Sequence, residues 1–427
     1  MRHRNAGHRN PVIGGIAVIV IHSISDSFHV ANMAIYSHAV PMCGQIAKLC
    51  VFCGEKPDRK TKEHVIPKWL IKLTGGDHRQ AFLGVKYSDG PDNLAVHRHA
   101  LSAYTVPACE SCNGRFALLE ELTKPVVVKL LSEQPISAGD VEILLDWLDK
   151  VRIGLWLAGR MIGTNVFRAH EPNFHIAHRI GWCDRWASLT LLPEQVGEGL
   201  TYAGVGTPMF GSMPSAFSIR INRLVIQNAS SPRILTRWLG LPYPATKRVR
   251  TPDGLMFHSH ICFGKNRVLP RMMDYGRPFN GLEVFQPAYP FLLKDCERPF
   301  KSPYAQRFFV DLERLRAKPL FATDREIRAF EELGKSEFAV MKHLPDSSFP
   351  DHFSASTLHL QNYVSLIGLY SGAPVTEHVF YRQRHLSRGL RKLNNLLLRK
   401  MAAQWADPTK SNDGFGELEL GLKVLSI

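Results

Sequence analysis

Apolar residues recur at three- and four-residue steps between Val141 and Ile162, through Ile143, Leu144, Trp147, Leu148, Val151, Leu155 and Leu157. This spacing predicts an amphipathic helix, and its apolar face reads as core rather than as a partner groove. A second helical pattern runs from Phe116 to Leu131 and is expected to be interrupted at Pro125, which lacks a backbone donor. A third runs from Tyr381 to Met401, with Leu386, Leu390, Leu393 and Leu397 along one face. Arg325 to Leu333 also reads as helical.

Between Trp186 and Ile226 the period changes. Short runs such as Ser188–Leu192 and Phe217–Ile221, separated by Gly and Pro, predict a small sheet. Near the front, Leu49 to Trp69 suits two short strands and a turn, with Glu63 to Ile66 extended until Pro67 and a short helix starting at Trp69. Thr74 to Leu101, punctuated by Gly75-Gly76-Asp77 and Ser88-Asp-Gly-Pro91, reads as a long, weakly patterned insertion. No internal repeat or low-complexity tract is visible. The expected class is therefore α+β.

At 427 residues the chain can bury a sizeable core and hold two or three domains. Its 53 Lys and Arg against 38 Asp and Glu give a formal charge of +15, which points to a polyanionic partner such as nucleic acid. On the Tyr381–Met401 helix, Arg388, Arg391, Lys392, Arg399 and Lys400 are candidate phosphate contacts, because the leucines occupy the opposite face and no acid interrupts the charge. A solvated basic face is the alternative reading. At the N-terminus, Arg2 to Arg9 precede an apolar run, Val12 to Ile21, that is too short to span a bilayer and lacks a clear small-x-small cleavage site. Residues 1–41 are thus expected to be a poorly ordered extension, and no stable membrane insertion is expected.

Eight cysteines are present, and four of them form two C-x-x-C pairs, Cys50/Cys53 and Cys109/Cys112. Each pair offers two thiolates from one tight turn, so the four suit a tetrahedral structural Zn2+ joining two distant turns. The other four stand at no recognisable spacing, which argues against a disulfide framework and for a reducing cytoplasmic setting.

Between and just after these pairs stand Glu63-His64 and Asn113. Hydrolysis of a phosphodiester requires a water to lose a proton near neutral pH and the developing negative charge to be neutralised. His64 has the intrinsic pKa of a general base. Asn113 would sit at the start of the next helix, where its oxygen could reach a hard cation, Mg2+ or another divalent ion. Glu63 is adjacent to His64 in an extended segment, so ideal geometry points the two to opposite sides, and a twist is needed if both serve one site.

The pattern C-x-x-C, Glu63-His-Val-Ile-Pro67, C-x-x-C-Asn113 resembles the HNH endonuclease family over about Cys50 to Pro125. The resemblance implies a zinc-knuckled treble-clef ββα-metal domain at residues 42–130, followed by a larger α+β region over 131–427. It implies His64 as general base, Glu63 and Asn113 as ligands of the catalytic divalent ion, and Cys50, Cys53, Cys109 and Cys112 as structural zinc ligands. The implied reaction is metal-dependent cleavage of DNA, in preference to RNA, leaving 5′-phosphate and 3′-hydroxyl ends. Alternative readings are a catalytically degenerate, zinc-stabilised nucleic-acid-binding module and a protein-interaction module. The Asn-Leu pair that members often carry a few residues before the second knuckle is found here only at Asn93-Leu94, farther upstream.

Overall fold

A computed structural model of the chain describes residues 48–76, 80–87, 94–103, 105–161, 175–181, 183–194, 197–231, 242–252, 254–263, 282–287, 309–311, 316–317, 319–322, 327–329, 349–370 and 377–406. The N-terminal extension expected at residues 1–41 lies outside them. In chain order the elements are β1 (Lys60–His64), α1 (Lys68–Leu73), β2 (Gln80–Tyr87), β3 (Leu94–Ala100), β4 (Thr105–Cys109), α2 (Glu110–Leu131), α3 (Ala138–Met161), β5 (Asp184–Leu191), β6 (Leu200–Ala203), α4 (Pro208–Ser212), β7 (Ala216–Ile221) and β8 (Leu224–Ser231). They continue with β9 (Pro242–Thr251), β10 (Gly254–Phe263), β11 (Leu282–Gln286), β12 (Phe309–Asp311), β13 (Arg316–Ala317), β14 (Leu320–Ala322), β15 (Ile327–Ala329), α5 (Phe349–Tyr370) and α6 (Glu377–Ala406).

The largest layer is a seven-stranded antiparallel sheet in the order β15-β14-β11-β5-β8-β7-β6. Alternation along its strands divides its side chains between two covered faces. Phe217, Ile219, Ile221, Leu224 and Ile226 join the main core on the α3 side. On the other face Ser218 bonds Thr357 of α5 at 2.6 Å, and Gln227 donates to Ser356 at 2.8 Å. Helix α6 packs in turn on α5, where Asn394 donates to Gln361 at 3.2 Å.

Helix α3 is the centre of the molecule. The expected amphipathic pattern holds only over its first half, because from Trp147 to Gly159 every residue is buried. It is enclosed between the sheet and the β1–β4–α2 unit. Charged residues inside this stretch are therefore paired. Asp149 Oδ1 accepts from Arg152 Nη2 at 2.5 Å, and Asp149 Oδ2 accepts from the Gly181 amide at 3.0 Å. Arg152 Nε donates to the Pro214 carbonyl at 2.9 Å and also reaches Asn228, while Arg185 of β5 bridges to Asp146, Asp149 and Gln286. Trp156 donates its indole N–H to the Gly211 carbonyl at 2.8 Å, tying α3 to α4.

Three local expectations change. Cys50–Cys53 forms a turn, not a strand, so β1 is the sole strand between Leu49 and Trp69. The insertion after Thr74 contains a hairpin, β2–β3, whose register shifts between Phe82 and Val85. That irregularity breaks the alternation that would have revealed it. Arg325–Leu333 is not a described helix: Ile327–Ala329 is a strand paired with β14, so tertiary pairing overrides a helix-like local period. Among the described residues no helix is long and apolar enough to cross a membrane.

Candidate functional site

The site is built on an antiparallel pair and the helix that follows it. Strand β1 pairs with β4 so that Lys60 faces Cys109, Glu63 faces Val106 and His64 faces Thr105. The chain enters α2 directly from β4, with Cys109 in an extended conformation as the residue capping the helix and Cys112 in its first turn. The first cysteine pair closes its own turn: Gly54 donates to the Cys50 carbonyl at 2.9 Å and Cys50 to the Glu55 carbonyl at 2.8 Å. Gly54 takes φ +83°, and a Cβ there would lie 2.4 Å from the His175 ring, so the position needs glycine on both counts. The Val51 amide bonds the Pro107 carbonyl at 2.9 Å, seating this turn on β4.

These bonds bring Cys50, Cys53, Cys109 and Cys112 together with all four sulfurs within 4.8 Å of one another, and Cys53 Sγ lies 4.0 Å from Cys109 Sγ. A tetrahedral zinc with bonds of about 2.3 Å needs sulfurs about 3.8 Å apart, so the quartet fits that ion. Burial pushes the Cys53 and Cys112 thiols up. At Cys109 burial acts the same way, but hydrogen bonds with Ser111, 3.6 Å from its sulfur, and with Cys112 draw it down to about 6. Among the described residues this is the cluster able to hold a metal ion.

Glu63 and His64 lie at the end of β1 and differ in burial: Glu63 is buried and His64 half-buried, as alternation along a strand requires. Burial, followed by the positive charge of Lys68, holds His64 below the ordinary histidine value, although Glu63 opposes this. His64 is therefore neutral at pH 7. The next residues, Val65 and Ile66, are buried, and Val65 meets α3 at Gly154, where a Cβ would lie 3.0 Å from its Cγ1. Asn113 is half-exposed in the first turn of α2.

The partner of Glu63 is not Asn113 but Lys150 of α3. Lys150 Nζ donates to Glu63 Oε1 at 2.6 Å and also contacts Glu120 of α2. The ammonium lies 6.0 Å above the Phe52 ring, which stacks on Phe116 with centroids 4.1 Å apart. Burial raises the Glu120 pKa, with Lys150 opposing. Glu63, with one oxygen engaged by a buried ammonium, does not fit a divalent ion as it stands. Lys150 carried one signal in the sequence: Asp149, Lys150 and Arg152 are charges inside an otherwise apolar run.

On α6, Leu390 and Leu393 are buried and Leu386 and Leu397 half-buried, while Arg388, Lys392 and Arg399 are exposed and Arg391 is half-exposed. The Lys400 side chain lies outside the described residues. Comparison of the chain with protein-family models, with curated proteins and with solved structures finds no match.

Proposed function

We propose that the chain is an HNH-type endonuclease, built on a treble-clef ββα unit, that hydrolyses phosphodiester bonds of DNA with His64 as general base. The observation that carries this reading is a strand–strand–helix unit that joins the cysteine quartet to a neutral histidine at the end of its first strand. Structural zinc on Cys50, Cys53, Cys109 and Cys112 would lock the turn before β1 to the β4–α2 junction and so fix where His64 stands. A neutral imidazole accepts a proton from water at a ring nitrogen, and burial with nearby lysines keeps it neutral at the working pH. The divalent ion, Mg2+ by its preference for oxygen donors, would neutralise charge developing on the phosphate. Glu63 and Asn113 are its proposed ligands, and the Glu63–Lys150 pair leaves that assignment without a step drawn through it. The exposed Arg388, Lys392 and Arg399 of α6, with Arg391 and Lys400, are proposed to lie along the DNA backbone.

A second reading, a binding module that keeps the zinc unit without catalysis, is favoured by the same Glu63–Lys150 pair. Nicking of supercoiled plasmid by zinc-loaded protein separates them. The endonuclease reading expects nicking that depends on a divalent ion and is lost in His64→Ala. Equal nicking by wild type and His64→Ala refutes His64 as base. Salt-sensitive DNA binding with no nicking in any metal establishes the second reading instead.

A further inference from the structure

Lys150 is a buried cation held between two carboxylates that arrive from different elements, Glu63 from β1 and Glu120 from α2. Its side chain is 2% exposed, whereas those of Glu63 and Glu120 are 10% and 18% exposed, so the acids form the outer rim and the ammonium the floor. Below it lies the face of Phe52, which supplies no lone pair but favours a cation through its ring quadrupole. Two carboxylates around one ammonium leave a net charge of −1. A divalent ion in the same place would bring it to zero, with hard oxygen donors of the kind such ions prefer. Asn113 lies seven residues before Glu120 on α2, two turns or about 10.5 Å along the axis, so the helix residue that meets Glu63 here is Glu120.

We propose that Lys150 is the resident cation of the Glu63–Glu120 pocket, and that this pocket takes a divalent ion only by displacing the lysine. Lys150 then sets how much divalent ion the site requires, and Glu120 is a ligand that the family resemblance did not name. The inference rests on the endonuclease reading for the use of the site, but not for the exchange of one cation for another.

The test is a Mn2+ titration of the zinc-loaded full chain, followed by the paramagnetic resonance of free Mn2+. Lys150→Met is expected to bind Mn2+ about tenfold more tightly than wild type, or better, because the competing charge is gone. Adding Glu120→Gln to Lys150→Met should abolish the gain. Unchanged or weaker Mn2+ affinity in a folded, zinc-retaining Lys150→Met overturns the proposal. If that variant fails to fold, the wild type supplies the reading: acylation of Lys150 by an amine reagent, followed by peptide mass spectrometry, should rise as Mn2+ is added. Acylation that stays flat at every Mn2+ concentration overturns the proposal equally. Plasmid nicking is scored separately. Tight Mn2+ binding without nicking by any variant leaves the exchange standing and sinks the endonuclease reading; a nicking wild type with no Mn2+ gain in Lys150→Met does the reverse.

Discussion

Asp149 has no solvent contact and holds two arginines, Arg152 and Arg185, on its two oxygens. Burial alone would raise its pKa, but the two guanidiniums reverse this and hold it below the ordinary carboxylate value. Its contribution to stability is therefore present above the unfolded carboxylate pKa and is lost as pH falls through the lower folded value. Asp149→Asn leaves two buried arginines without a counter-charge and should lower stability by about 3–5 kcal/mol, read from the urea midpoint at pH 7. His64 carries the opposite kind of prediction. Its pKa is depressed, so the nicking rate should be flat through neutral pH and fall only below the ordinary histidine range, as the base becomes protonated. A profile that halves near pH 7 would contradict the burial described. At this scale the cysteines, Glu63, His64 and Asn113 were legible because their spacing is local. Lys150 was not legible as a partner of Glu63, since the two are 87 positions apart and only the packing of α3 joins them.

Among the elements, α2 shows how a local rule yields to context. Pro125 was expected to interrupt the helix, yet α2 runs unbroken from Glu110 to Leu131 with Pro125 inside it. The carbonyl that loses its donor belongs to Glu121, which is exposed, so water can take the place of the missing hydrogen bond. Val126, Val127 and Leu130 are buried immediately beyond, and this burial favours continuation. At the end of β6, Gly204 adopts φ +84°, and a Cβ there would lie 2.6 Å from Thr357 Cγ2 and 2.7 Å from Gln361 Nε2. Gly204→Ala should lower stability by about 1–3 kcal/mol by lifting α5 off the sheet, visible as a lower melting temperature. On α6 the test is electrostatic. Arg388→Gln with Lys392→Gln should leave the melting temperature unchanged, because both residues are exposed. The same pair should reduce the salt slope of DNA binding by about 2 units, if each contacts one phosphate. The α6 pattern was readable because leucine and arginine faces separate cleanly at helical period. The strand at Ile327–Ala329 was not, because three residues carry no period and only β14 defines them.

For the whole molecule, one core runs without a break from Cys50 and Phe52 through α3 to Val284 and Phe321 of the sheet. Removing zinc should therefore be felt beyond the cysteines. Chelation, or Cys50→Ser, is expected to strip hydrogen-exchange protection from β1, β4 and the first turns of α2, and to weaken protection along α3; structural zinc in small modules contributes an apparent 10–16 kcal/mol or so of coupled binding and folding energy. Protection unchanged on complete zinc loss would show that packing alone holds the unit. The α+β class was legible from the change of period along the chain. The way the two regions share α3 was not, because an amphipathic pattern names one buried face and says nothing of what covers the other.

That sharing also bears on how such a chain could be recombined. Lys150 neutralises Glu63 and Glu120, and the Ile176 and Ala177 amides bond the Val51 and Phe52 carbonyls at 2.9 and 3.0 Å. A breakpoint at residue 130, where the zinc unit ends in sequence, would strand two buried acids and strip the cover from the first cysteine turn. A cassette that can be moved intact to another protein has to run on through α3 to about His178.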